Sequence, residues 1–206
     1  MSRPVILDQM RKRISSASDG TVFIPADFSD LADQKKITAC ISRLYDEGSL
    51  EKVKRGVYMK PRYSSFLRQK VPADGESVSE AIARNYGWTI APSGDTALNV
   101  LGLSTQVPAV YQYVSDGPYK EYEADGIKYL FKHTDRKNEL IGLSGKSAVL
   151  IQALRALGKE HIGEEEILYL KNQFTNEEKA IMLIETKYVT SWIYEIIKEI
   201  CKEEKL

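Results

Sequence analysis

Cysteine is almost missing from the 206 residues: Cys40 and Cys201 lie far apart and without CxxC spacing. That excludes a disulfide framework and gives no zinc-ligand pattern. Histidine is as scarce, since His133 and His161 are the two present and neither stands at metal spacing with a cysteine or with the other. No nucleophile-elbow pattern occurs, so no catalytic residue, metal or cofactor is predicted, and the protein is not expected to be an enzyme. An excess of one charge is also missing, with 29 Lys and Arg against 29 Asp and Glu. A long apolar run is missing too. The uncharged stretch from Thr96 to Ser115 is broken by Asn99, Gly102, Ser104, Thr105, Gln106, Pro108 and Gln112, which argues against a membrane span. Met1-Ser2-Arg3-Pro4 leads straight into a charged amphipathic segment with no apolar stretch of signal-peptide type, so a cytoplasmic location is expected.

What is present suffices for a real core, since 43% of the residues are hydrophobic. The balanced charge hides a gradient: residues 1–72 carry 14 cations against 8 anions, residues 73–157 carry 8 against 10, and residues 158–206 carry 7 against 11. From Val5 to Ile14 apolar residues recur at helical spacing, and Thr21-Val22-Phe23-Ile24 is a β-type run ended by Pro25. A short helix over Ala26–Leu31 follows. Asp33 stands where an N-cap belongs, and Ile37, Cys40, Ile41, Leu44 and Tyr45 then form one helical face that ends at Gly48. Two short runs around Lys54-Arg55-Gly56 predict a β-hairpin with a positive tip.

Helix, short strand, helix, helix and basic hairpin is the order of a winged helix-turn-helix. The sequence predicts an α+β protein with that module over 1–62, a linker over 63–75 and a C-terminal α+β domain over 76–206. In the latter a helix over Ser77–Tyr86, with Ser77 and Glu80 as a capping box, precedes a short helix over Thr96–Leu101. A small antiparallel sheet is expected from Val110–Val114, Glu121–Ala124 and Ile127–Lys132. The last third reads as helices over Lys146–Leu157, Glu164–Gln173, Asn176–Glu185 and Thr190–Glu203.

The face opposite the apolar stripe of the 33–48 helix is small, polar and basic. Thr38 and Ser42 could read base edges, Ala39 could touch a thymine methyl, and Lys35 could reach a guanine. Lys36, Arg43, Lys52, Lys54 and Arg55 suit phosphates, and Tyr58 on the hairpin completes the candidate DNA-binding set. A solvated basic face, or a winged helix used for protein contact, fits the same residues. Gly142-Leu143-Ser144-Gly145-Lys146-Ser147 contains Gly-Lys-Ser before a helix, but Leu140 stands where a phosphate loop needs glycine. A helix capped by Ser144 is the simpler reading. Glu164-Glu165-Glu166 reads as an acidic first turn. Tyr188, Val189, Trp192, Ile193, Ile196, Ile197 and Ile200 form a stripe suited to a core or to a partner chain.

The run from Phe28 to Pro61, with Ile41-Ser42-Arg43-Leu44, Glu47-Gly48 and Val53-Lys54-Arg55-Gly56-Val57-Tyr58, resembles the N-terminal winged helix of AbiEi-type antitoxins. Pro92-Ser93-Gly94, Ala97-Leu98-Asn99 and Leu101-Gly102-Leu103-Ser104-Thr105-Gln106-Val107-Pro108 resemble that family's continuation. The resemblance spans roughly residues 20–135. It implies a two-domain transcriptional autorepressor, the antitoxin of a bacterial type IV toxin–antitoxin pair in phage defence by abortive infection. Such a protein binds repeats in its own promoter as double-stranded DNA, and because bacterial operators are commonly repeated, two molecules per site are expected. It counters a nucleotidyltransferase-like toxin, and the family is described as doing so without a stable complex. Two rivals remain: a protein-interaction adaptor that uses its winged helix without DNA, and a nucleotide-binding enzyme working through Gly145-Lys146-Ser147.

Overall fold

The computed structural model describes residues 6–202. The chain divides into two compact units, Met1–Gly87 with Ala124–Gly126, and Trp88–Glu123 with Ile127–Leu206.

In the first unit, α1 (Ile6–Ser16) is followed by β1 (Val22–Phe23) and a 3-10 turn over Pro25–Phe28, where the longer helix predicted over 26–31 is reduced to a single turn. Then come α2 (Gln34–Asp46), β2 (Glu51–Lys54) and β3 (Val57–Met59). Asp33 caps α2 as expected, its Oδ1 accepting from the Lys36 N–H at 3.0 Å. β3 lies between β1 and β2 and is antiparallel to both. Ile37, Ile41 and Leu44 of α2 meet Met10 and Ile14 of α1, Phe23, Phe28 and Leu50 in one core. Burying each such aliphatic side chain is worth about 1.5–3 kcal/mol, so this core fixes α2 against α1 and the sheet.

Residues 63–75 are not the structureless linker expected. They contain β4 (Tyr63–Ser64) and β5 (Gln69–Lys70), an antiparallel pair. Its strands, two residues each, are too short to show the alternation that marks a hairpin in sequence. α3 (Gly75–Tyr86) also differs. It starts two residues before Ser77 because Asp74 is its cap, accepting from the Ser77 N–H at 2.9 Å. It packs on β1 and β3, so it belongs with the first unit and the division falls at Gly87, not at 75.

The second unit holds β6 (Ile90–Pro92), α4 (Asp95–Val100), β7 (Val110–Ser115), β8 (Lys120–Ala124) and β9 (Ile127–His133). The four strands run in the order β6-β7-β9-β8. β6 is antiparallel to β7, but β7 and β9 are parallel, Val110 opposite Lys128 through Ser115 opposite His133. The expected small sheet therefore has a parallel centre. Burial explains this. β8 exposes Lys120, Glu121 and Glu123, which suits an edge, while Phe131 and Tyr129 of β9 stack on Tyr113 and Tyr111 of β7 at centroid distances of 5.7 and 5.8 Å.

Four helices complete the unit: α5 (Gly145–Leu157), α6 (Glu164–Gln173), α7 (Asn176–Glu185) and α8 (Ser191–Cys201). Every residue of α5 from Ser147 to Leu154 is buried, and the helix touches α4, β6, α7 and α8. The α8 stripe is core, with Ile193, Ile197 and Ile200 fully buried. The predicted end of that helix at Glu203 lies outside the described residues. Among the described residues no helix is long and apolar enough to cross a membrane.

Candidate nucleic-acid interface

Since α2 seats Ile37, Ile41 and Leu44 in the core, helical geometry turns Lys35, Ala39, Ser42 and Asp46 outward, with Thr38 on one flank and Lys36 and Arg43 on the other. All seven are exposed. Thr38 Oγ1 donates to the Gln34 carbonyl at 2.8 Å, which engages its hydroxyl proton and leaves the oxygen able to accept. Lys36 is tied to Asp33, Nζ to Oδ2 at 2.9 Å, and that hydrogen bond holds the Asp33 carboxyl below its ordinary range and raises the Lys36 ammonium. Asp46 puts a carboxylate on the last turn. The outer face is thus basic toward the N-terminus of α2 and acidic at its end, a polarity that favours presenting the first half of the helix to a polyanion.

β2 and β3 are joined at Arg55-Gly56, with Lys54 opposite Val57 and a register shift between Lys52 and Lys54. Gly56 has φ +82°, a backbone conformation that glycine adopts without strain and that the tight turn requires. Lys52 and Arg55 are exposed. Lys54 and Tyr58 are drawn inward. Lys54 is half-buried, and desolvation lowers its pKa against the opposing influence of Tyr86. Tyr58 packs its ring on the α1–α2 core and lies opposite Phe23 and Lys52 in the sheet.

The ion pairs sort the charges of this unit. Asp8 and Glu47 hold Arg11, Asp30 holds Arg13, Asp19 holds Lys60, Glu51 holds Lys70, and Asp27 lies 3.6 Å from Arg84. Lys35, Arg43, Lys52 and Arg55 have no acidic partner among the described residues. These four uncompensated cations lie on the α2 outer face and the β2–β3 hairpin, and exposed Lys12 of α1 likewise has no acidic partner among the described residues. Sequence reasoning passed over Arg62 and Arg68, both exposed, because Arg68 fell in the supposed linker and Arg62 at its edge. The signal that could have found them is the absence of any carboxylate between Glu51 and Asp74.

Elsewhere the chemistry-bearing groups are engaged internally. Ser144 caps α5 as expected. The start of that helix also holds the carboxylate of Glu185, whose Oε2 accepts from the Ser144 N–H at 3.0 Å, Ser144 Oγ at 2.8 Å and Ser147 Oγ at 2.5 Å. An anion from α7 therefore occupies the position that a phosphate would take. Glu139, 2% exposed, receives both Nε and Nη2 of Arg155 together with the Thr190 hydroxyl. Glu166 caps its own helix through the Gly163 N–H. Among the described residues no cluster of three His, Cys, Asp or Glu could hold a metal ion.

An α+β chain with a helix-and-hairpin unit bearing unpaired cations is the class that these features define. The chain belongs to DUF6088, a family of unknown function whose model matches residues 9–182. No curated protein matches the chain.

Proposed function

We propose that the protein is a DNA-binding transcriptional regulator in which residues 6–62 form a winged helix-turn-helix. In this reading α2 enters the major groove with Lys35, Thr38, Ala39 and Ser42 toward base edges. Lys36, Arg43, Lys52 and Arg55 contact phosphates, while Lys54 and Tyr58 support the hairpin from within. The observation that carries the reading is the distribution of charge: most ion pairs of the unit engage cations elsewhere, while Lys35, Arg43, Lys52 and Arg55 are exposed and have no acidic partner among the described residues, which suits them to phosphate. The resemblance to AbiEi-type antitoxins extends the proposal to an autorepressor that binds repeats upstream of its own gene and opposes a nucleotidyltransferase-like toxin.

DNase footprinting of the DNA upstream of the gene tests this. Protection of repeated sites, lost in Lys35→Ala with Arg55→Ala, supports the proposal, and no protection at saturating protein contradicts it. One observation favours a protein-contact role for the second unit. Ile181, Ile184 and Tyr188 lie along one side of α7 and beyond its end, with Ile184 77% and Tyr188 76% exposed, a surface better suited to a partner chain than to water.

A further inference from the structure

Between Glu51 and Asp74 the chain contains seven Lys or Arg and no Asp or Glu. This acid-free stretch forms two hairpins. The first is β2–β3, already placed on DNA above. The second, β4–β5, presents an apolar tip: Phe66 is 93% exposed, with Tyr63 and Leu67 also largely in solvent.

The tip is ordered by its own bonds. The Leu67 N–H donates to Ser64 Oγ at 3.1 Å, Arg68 adopts φ +52°, and the Val71 N–H closes the base on the Arg62 carbonyl at 2.9 Å. The ion pair between Lys70 and Glu51 ties the hairpin to β2. Arg68 stands beside the tip and Arg62 at the base of the hairpin, both without an acidic partner among the described residues. The hairpin thus carries a bare aromatic ring on a stretch that is basic and free of carboxylates. It matches a duplex, whose phosphates attract the arginines while an apolar wedge enters between base steps from the minor groove.

We propose, on the basis of the DNA-binding reading above, that β4–β5 is a second DNA-contacting arm. Phe66 and Leu67 wedge between base steps and kink the duplex, and Arg62 and Arg68 hold the adjoining phosphates. The arm lengthens the contacted site and makes binding depend on a deformable step.

The test uses the full chain with an end-labelled duplex from upstream of its gene, reading affinity by anisotropy and bending by energy transfer between the ends. The expected result is that the wild type bends the duplex. Phe66→Ala should remove the bend and weaken binding about fivefold or more, the order of one lost stacking contact. Its melting temperature should be unchanged because the ring touches little, and Arg55→Ala should weaken binding while keeping the bend. If Phe66→Ala keeps both bend and affinity while Arg55→Ala binds less tightly, the arm is overturned and the DNA-binding reading stands. If the wild type binds neither the upstream nor a shuffled duplex, both fall. Self-association that Phe66→Ala abolishes, with bending unchanged, would make the tip a contact between copies and overturn the arm.

Discussion

The Glu185 carboxylate accepts the Ser147 hydroxyl at 2.5 Å, joining the last turn of α7 to the first turn of α5. A helix start has unpaired N–H groups and a positive end, so it favours an anion. Burial opposes ionisation of Glu185, but the hydroxyls of Ser147 and Ser144 and the Ser144 N–H outweigh it and hold the carboxyl below its ordinary range. The stabilisation is therefore complete above the pKa of an unfolded glutamate and is lost as pH falls through the lower folded value. Glu185→Ala should lower the melting temperature at neutral pH, with the gap from wild type closing on acidification below about pH 4.5. A gap independent of pH would contradict this role. ATP and GTP should leave the wild-type melting temperature unchanged.

A second close approach constrains Gly117. A Cβ at that position would lie 2.4 Å from Cε2 of Trp88, a rigid ring that cannot swing aside like a flexible chain end. Gly117→Ala should destabilise the protein by about 1–3 kcal/mol, measured by urea unfolding. Combining it with Trp88→Leu should recover part of the loss, because the two changes share one contact. Equal loss in the single and double variants, once the cost of Trp88→Leu is subtracted, would refute the clash.

Glu139 and Arg155 make a buried bidentate pair. Desolvation opposes its charge, yet Arg155 and then Thr190 overcome that and keep the Glu139 pKa low. Glu139→Gln strands a guanidinium that is only 25% exposed and should cost about 2–4 kcal/mol at neutral pH. The cost should shrink as the wild-type carboxylate is protonated in acid. Thermal unfolding across pH measures both.

Much of this architecture was legible because its helices are bounded by chemistry that works locally. Asp33 before α2 and Ser144 before α5 are caps in the sequence and in the structure, and the bounds of α6 and α7 coincide with those predicted. Misreadings arose where long-range packing decides. The parallel pairing of β7 with β9 depends on Tyr113 and Phe131 meeting as direct neighbours although β8 lies between them in sequence, which no local pattern encodes. α5, by contrast, is legible from its Ser144 cap and its length, although burial on all sides, Gln152 included, leaves it no amphipathic stripe. In the candidate interface the outward set on α2 followed from periodicity, but Lys54 is as basic in sequence as Lys52 and only the fold turns it inward beside Tyr86. The β4–β5 hairpin was hidden by Pro61 and Pro72, which mimic a linker.

His133 offers a titration of the sheet itself. Its Nδ1 faces the Gly117 carbonyl at 2.8 Å and its Nε2 the Asp135 carboxylate at 3.1 Å. The Gly117 hydrogen bond first and Asp135 next raise its pKa above the ordinary histidine value. The protonated ring therefore contributes stability that is full below the unfolded pKa and lost as pH rises through the folded one. Proton NMR should place the His133 titration above 6.5, and Asp135→Asn should move it down; no movement would remove Asp135 from the account.

The central claim is tested most directly by fluorescence anisotropy of the full chain with the duplex upstream of its gene and with a shuffled duplex, at low and near-physiological salt. The account predicts tighter binding to the upstream duplex that survives the higher salt. Arg55→Ala should weaken binding to both duplexes and flatten the log-log salt slope by about one unit, whereas Ser42→Ala and Thr38→Ala should change the preference between them. Equal or absent binding to the two duplexes at both salt concentrations would contradict it.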